Sequence, residues 1–261
     1  MIQRAGTQLW ADVRWRGGWR IQSHWAFPIS RLLAPDGHLK CRGSLHQCAR
    51  TLDRLQPVAD PPEHLVVIVH GLGRTRYSMR LVDQALSGAG FTTARLDYPS
   101  TRRTIEAHAE TIARLLDHVP TPAKLSFVTH SLGGLIVRQL LGRESSWRQS
   151  LHRILMLAPP NQGASLAVAL DGSVLRTVMG PSFRQLVEGI AKNLPVPDAP
   201  ISIFAGQIGS TRGDGLVTIE ETKLLGMAEH HVVPSIHTFV MDHPAAIEHA
   251  VSFLGAAPDQ A

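Results

Sequence analysis

A serine, a carboxylate and an imidazole stand where three apolar runs of this chain give out. Ser131 follows "KLSFVTH", Asp214 lies in "GSTRGDGLV" after "APISIFAGQ", and His237 lies in "SIHTF" after "EHHVVPS". A serine hydroxyl is a weak nucleophile until a base takes its proton. An imidazole can take that proton and return it to a leaving group, while a carboxylate holds the ring in the productive tautomer and stabilises its cation. Leu132, Gly133 and Gly134 follow Ser131, so the strand turns sharply into a helix with no loop between. Such a corner lifts the hydroxyl clear of the sheet and sets the Leu132 amide at a helix N-terminus, facing a developing oxyanion. The second oxyanion amide is expected from "HGLG", residues 70–73, at Leu72, where a glycine on either side frees the backbone.

Each residue has competitors. Ser131 in isolation is a common helix N-cap, and Thr129 occupies a place where glycine often precedes such a serine. Asp214 can be read as the turn residue of "GDG", and Asp97, Glu220 and Glu221 compete for the acid, Asp97 most seriously. His243 competes with His237, but it precedes Pro244 and suits the cap of the last helix. His70 and His130 fit structural roles beside the site. His230 and His231 have no third or fourth ligand spaced for zinc along the chain, so neither a metal nor another cofactor is expected.

The elements that would position these residues alternate. "LVVIV", "FTTARLDYP", "KLSFVTH", "HRILMLAPP", "APISIFAGQ" and "EHHVVPS" read as strands. Residues 78–88, "TIEAHAETIARLLDHV", "LGGLIVRQLLG" and "PAAIEHAVSFL" read as helices. The alternation predicts an α/β fold, a mostly parallel sheet with helices on both faces, and in such sheets sites gather at the carboxyl ends of strands. Residues 163–199 interrupt it with helical stretches and glycines, as a short helical cap over the site does. Its apolar residues Leu166, Val168, Leu170, Val174, Leu175, Val178, Met179, Phe183, Leu186 and Val187 are enough to line an apolar pocket or to pack the insertion on the core.

Residues 1–57 differ. "LWADVRWRGGWRIQSHW" reads as a hairpin; a three-residue loop, Arg16-Gly17-Gly18, would put Trp15 opposite Trp19 and Val13 opposite Ile21 on one face, with Arg14 and Arg20 on the other. "SLHQCARTLDRL" follows as a helix with Ser44 as cap and Leu45, Cys48, Leu52 and Leu55 as its apolar stripe. This extension is expected to pack on the α/β core at 62–256.

The 261 residues, 44% hydrophobic and 18% charged, suffice for a globular core. The net charge of +5 comes from scattered arginines, not a basic tract, which argues against a nucleic-acid partner. Two cysteines are too few for a disulfide framework. No window approaches the ~20 apolar residues of a membrane span, and the first residues lack the apolar core of a secretory signal. A cytoplasmic location is the expectation, unless a leader has been trimmed.

With these residues in view, the chain resembles the lipases and esterases of the α/β-hydrolase superfamily. "THSLGG" resembles their nucleophile elbow and "VIVHGLGR" their oxyanion segment. "LAPPNQGASLA" resembles a strand-end segment of bacterial lipases, "DGLVTIEETKL" the acid loop, and "IHTFVMDHPAAIEHAVSFL" the histidine turn and final helix. The resemblance implies a Ser131–His237–Asp214 triad, Leu72 and Leu132 as oxyanion donors, no cofactor, and an ester or lipid substrate with an apolar acyl group. Acyl transfer and thioester hydrolysis use the same site with a different acceptor or substrate. A catalytically silent binding protein is the remaining alternative.

Overall fold

The computed structural model describes residues 7–58, 60–166 and 173–256. Six strands form a parallel sheet in the order β10-β9-β8-β7-β5-β6. They are β5 (His64–Val69), β6 (Thr92–Leu96), β7 (Lys124–His130), β8 (Leu151–Leu157), β9 (Ile201–Gln207) and β10 (Glu229–Pro234). Alternate residues of one strand enter different cores, as a strand's two-residue period requires. Leu65, Val67 and Val69 face one side, with α3 (Ile105–Leu116) and α4 (Leu132–Leu141) over them. Val66 and Ile68 face the other, under α2 (Arg80–Gly88) and the last helix, Pro244–Gly255. Both faces of the sheet are therefore covered, which is why its strands read as continuous apolar runs. β5 lies between β6 and β7, so the strand order reverses there, and the loops after β5 and β7 open beside each other.

The N-terminal extension is larger than a hairpin and a helix. It is a four-stranded antiparallel sheet in sequence order: β1 (Trp10–Arg16), β2 (Trp19–His24), β3 (Ser30–Leu33) and β4 (Leu39–Gly43). Helix α1 (Leu45–Leu55) covers one face, capped by Ser44 in a reciprocal arrangement with Gln47. Only Cys48 and Leu52 of its expected stripe are buried; Leu45 and Leu55 are exposed, because the short strands beneath reach no further.

The hairpin register differs from the expected one. Trp15 pairs with Arg20 and Arg16 with Trp19, around a two-residue Gly17-Gly18 turn. Both glycines have positive φ, 52° and 83°, the conformation that suits the strand twist. The residue left over is absorbed by a bulge between Asp12 and Arg14. Trp15 thus joins the main core while Trp19 packs with Ile21 towards α1. Arg20 is buried against Asp12 at 3.3 Å rather than sharing a face with Arg14. The extension covers the β6 edge: the Asp12 amide donates to the Asp97 carbonyl (2.9 Å), and the Asp97 amide donates to Asp12 Oδ2 (2.7 Å).

Within the insertion, α5 (Ser173–Val187) breaks at Gly180, φ 79° and ψ −167°, where Pro181 follows. Ser182 Oγ donates to the Arg103 carbonyl (2.7 Å) and Gln185 Oε1 accepts from the Ile105 amide (2.8 Å), fastening α5 to the start of α3. On the other side the buried Arg138 of α4 donates to the carbonyls of Leu194 (2.5 Å), Pro195 (3.0 Å) and Asn161 (3.1 Å). α6 (Ile219–Thr222) and α7 (Pro244–Gly255) complete the chain.

Candidate active site

β7 runs apolar and buried to His130, and Ser131 then takes φ 52° and ψ −122°, a conformation that costs a non-glycine residue roughly 1–3 kcal/mol. The surroundings enforce it. A side chain at Gly133 would put its Cβ 2.5 Å from the Val69 carbonyl oxygen and 2.9 Å from that of His70, so only glycine lets α4 start so close to β5. Thr129 packs beside Gly134: a Cβ there would lie 3.2 Å from Pro159 Cβ and make an ordinary contact, 3.4 Å, with Thr129 Oγ1. The threonine is fully buried in the β7 ladder, paired with Val69 and Met156. The elbow forms with threonine in place of the usual glycine.

Ser131 Oγ lies 2.8 Å from His237 Nε2, and His237 Nδ1 lies 2.7 Å from Asp214 Oδ2. The other carboxylate oxygen, Asp214 Oδ1, accepts from the amides of Leu216 (3.0 Å) and Val217 (2.8 Å). The His237 amide donates to the Asp214 carbonyl (3.0 Å). Asp214 is therefore buried with both carboxylate oxygens hydrogen-bonded, and it serves as a rigid acceptor for the imidazole N–H. His237 opens a short 3-10 helix, His237–Asp242, beyond the end of β10.

The competitors are occupied elsewhere. Asp97 Oδ1 accepts from the Arg76 amide (3.0 Å), and Oδ2 pairs with the Arg76 guanidinium (3.3 Å) and accepts from Gln22 (3.4 Å). Glu221 caps its own helix at Thr218 and accepts from the Ser165 amide (2.6 Å), while Glu220 pairs with Lys223. His243 caps α7, accepting from the Ala245 amide at 3.3 Å.

His70 and His130 are fully buried around the elbow. His130 Nε2 donates to the His237 carbonyl (3.0 Å), and His70 Nδ1 donates to the Gly71 carbonyl (2.8 Å). Burial holds His70 down to about 4 and His130 well below the ordinary histidine range, with His237 adding to the effect on His130. Burial likewise takes His108, edge-on to Tyr98, down to about 3. These rings are neutral packing elements at neutral pH, and His130 fixes the backbone that carries His237.

Leu72 and Leu132 flank Ser131 on the wall of a cavity of about 340 Å³. Met179, Phe183 and Leu186 of the insertion, with Leu216, Val217 and Ala164, form its apolar lining. Val178 projects to solvent, and Leu166 and Val187 are partly buried without lining the cavity. Val168 and Leu170 lie outside the described residues, as do the side chains of Val174 and Leu175.

The sequence reading missed a brace on the 70–74 loop. The Gly73 amide donates to Ser100 Oγ (2.9 Å), which donates to Gln8 Oε1 (3.1 Å); Gln8 Nε2 in turn donates to the Arg74 carbonyl. Ser100 follows β6 in "DYPS" and was open to inspection as a strand-end polar residue, whereas nothing in "TQLW" marks Gln8. Spacing along the chain offers His231 no set of zinc ligands, whereas the fold brings Glu229 and His249 to it.

A parallel sheet with an elbow-held serine hydrogen-bonded to an imidazole, and that to a buried carboxylate, is the architecture of α/β hydrolases. The model of the alpha/beta hydrolase family matches residues 66–247, and the chain belongs to that family. Among solved structures it is similar to the mature lipase BlEst2 of Bacillus licheniformis, with 18% identity and a TM-score of 0.61 over 76% of this chain and 96% of that one. It is also similar to the product of gene lin2722 from Listeria innocua, at 13% identity and TM-score 0.54 over 77% and 97% of the two chains. The metagenomic carboxyl esterase MGS0156 is similar at 16% identity and TM-score 0.52, over 75% and 76%. At these identities the likeness is one of fold.

Proposed function

We propose that the protein is a serine hydrolase of carboxylic esters with an apolar acyl group, working through an acyl-enzyme. The observation that carries this is the continuous hydrogen-bonded line from Ser131 through His237 to the buried Asp214, opening on an apolar cavity. Ser131 Oγ attacks the ester carbonyl carbon as His237 Nε2 takes its proton. The oxyanion so formed faces the amides of Leu72 and Leu132, each such donor being worth about 3–4 kcal/mol of barrier. Collapse of the intermediate expels the alcohol, which receives the proton from His237. Water, activated by the same imidazole, then attacks the acyl-serine and releases the acid. Asp214 keeps Nδ1 protonated throughout, so Nε2 is free to accept.

The lining by Met179, Phe183 and Leu186 supports an aliphatic acyl chain under the insertion. The test is hydrolysis of a p-nitrophenyl ester series of rising acyl length, beside the matching thioesters, with wild type and Ser131→Ala. Each methylene that enters the cavity is expected to raise kcat/KM by up to about fourfold, until the cavity is full and the rise stops. Thioesters turned over faster than esters of the same acyl group would move the assignment to a thioesterase. No turnover of either by the folded wild type would leave a binding protein.

A further inference from the structure

At the far end of β10 from His237, two imidazoles and a carboxylate converge. Glu229 and His231 are two residues apart and so share one face of this edge strand. α7 packs there and brings His249. Glu229 Oε2 lies 3.0 Å from His249 Nε2 and 3.1 Å from His231 Nε2, and one ligand atom of each residue lies within 4.8 Å of the others. None of the three belongs to the cavity at Ser131. We propose that Glu229, His231 and His249 bind one borderline-soft divalent cation, zinc foremost, which clamps β10 to α7.

The donor set fits. Two imidazole nitrogens and one carboxylate oxygen suit zinc, whereas magnesium and calcium demand mostly oxygen. Bonds of about 2.0–2.2 Å at tetrahedral angles place neighbouring ligand atoms roughly 3.3–3.5 Å apart. The observed 3.0 and 3.1 Å open by a few tenths of an ångström, and the two imidazole nitrogens, within 4.8 Å of each other, come to the same spacing around an ion that replaces the bridging protons. The fourth position is left for water.

The rings are already set for it. His231 stacks on Phe204, with centroids 4.7 Å apart at 28°, and His249 stacks with Phe253 at 5.4 Å and 16°. Ser202 Oγ, buried beneath, donates to Glu229 Oε2 (3.2 Å) and steadies the carboxylate, while its contact with His249 Nε2 (2.9 Å) gives way to the ion. A shallow cavity borders His231 and His249, with Ser252 and the acidic Glu248 on its wall, and gives an ion access from solvent. The consequence reaches the active-site side of the strand. Residues 232–248 form the segment between the ligands of β10 and α7, and His237 is on it. An ion that fixes both ends of this segment limits its excursions.

The experiment uses tag-free full-length protein stripped with EDTA. Zinc chloride is titrated calorimetrically, and melting is followed with and without zinc, for wild type and for Glu229→Gln, His231→Gln and His249→Gln. Wild type is expected to bind one zinc per chain and, at free zinc ~100-fold above Kd, to melt about 5–10 °C higher. Each variant is expected to lose at least ~10-fold in zinc affinity, and magnesium chloride to shift nothing. Circular dichroism and the zinc-free melt identify folded variants, and the three substitutions are independent, so one that fails to fold leaves two. Absence of zinc uptake by wild type, or wild-type affinity in the folded variants, overturns the proposal.

Discussion

Asp214→Asn is the substitution whose effect the geometry specifies most closely. Asp214 Oδ1 is held by two backbone N–H groups, those of Leu216 at 3.0 Å and Val217 at 2.8 Å. An amide side chain in this place keeps its carbonyl oxygen on those two donors, because turning it would set an NH2 against two N–H groups. Its NH2 then faces His237 Nδ1, where Oδ2 now accepts at 2.7 Å. The imidazole is driven to the tautomer with its proton on Nε2, which points at Ser131 Oγ and cannot take a proton from it. The imidazolium formed during reaction also loses its counter-charge. A change of this kind is worth roughly 10⁴ in kcat, or about 5.5 kcal/mol of barrier, with KM little altered because no substrate contact is touched. Asp97→Asn is the control. Asp97 serves Arg76 and Gln22, so its loss is expected to lower the melting temperature and leave kcat near wild type. The assay is p-nitrophenyl ester turnover, with melting curves for both variants. A kcat for Asp214→Asn within about tenfold of wild type, or an equal collapse in Asp97→Asn, would refute the assignment of the acid.

Three further outcomes follow from particular contacts. Gly133→Ala forces a Cβ to within 2.5 Å of the Val69 carbonyl oxygen, a backbone atom that cannot swing aside, so a loss of about 3 kcal/mol or more in urea unfolding and a near-inactive protein are expected. Gln8→Ala removes the brace that runs through Ser100 to the Gly73 amide; we expect kcat to fall roughly 3- to 10-fold, a fraction of a full oxyanion donor, with KM and melting temperature nearly unchanged. Acid is expected to destabilise the fold through its buried histidines. Their folded pKa values lie below the ordinary 6.5, at about 4 for His70 and about 3 for His108, so the unfolded chain binds more protons and stability falls as pH drops from 6.5 through those values. Each contributes on the order of 1.4 kcal/mol per pH unit in that window, and a urea midpoint that stays flat from pH 6.5 to 4.5 would contradict this.

Much of the hydrolase part was legible because its signal is local and repetitive. Strands buried on both faces read as apolar runs, and Gly142 and Pro244 punctuate helices as expected. Ser131, Asp214 and His237 were legible because strand ends are where such sheets gather side chains, and the structure brings the three within hydrogen-bonding distance. The extension was harder. β3 and β4 are only 4 and 5 residues long and are separated by "APDGH", so no window carries a two-residue period long enough to mark them. The hairpin register depended on a bulge at Asp12/Arg14, and a single inserted residue reverses every side chain before it. That Thr129 can stand where glycine often precedes such a serine is visible only in three dimensions, where it is buried in the β7 ladder and the elbow still forms. The Gln8 brace and the Glu229–His231–His249 cluster join segments far apart in the chain, and pairwise spacing along a sequence carries no trace of that.

The central claim is that Ser131 is a nucleophile activated by His237. It is tested most directly by reaction with a fluorophosphonate and mapping of the adduct by mass spectrometry, in wild type, Ser131→Ala and His237→Ala. The account predicts one covalent phosphonyl group on the peptide containing Ser131 in wild type, none in Ser131→Ala, and a strongly slowed reaction in His237→Ala. A folded wild type that takes up no phosphonyl group, or that carries it on another residue, would contradict it.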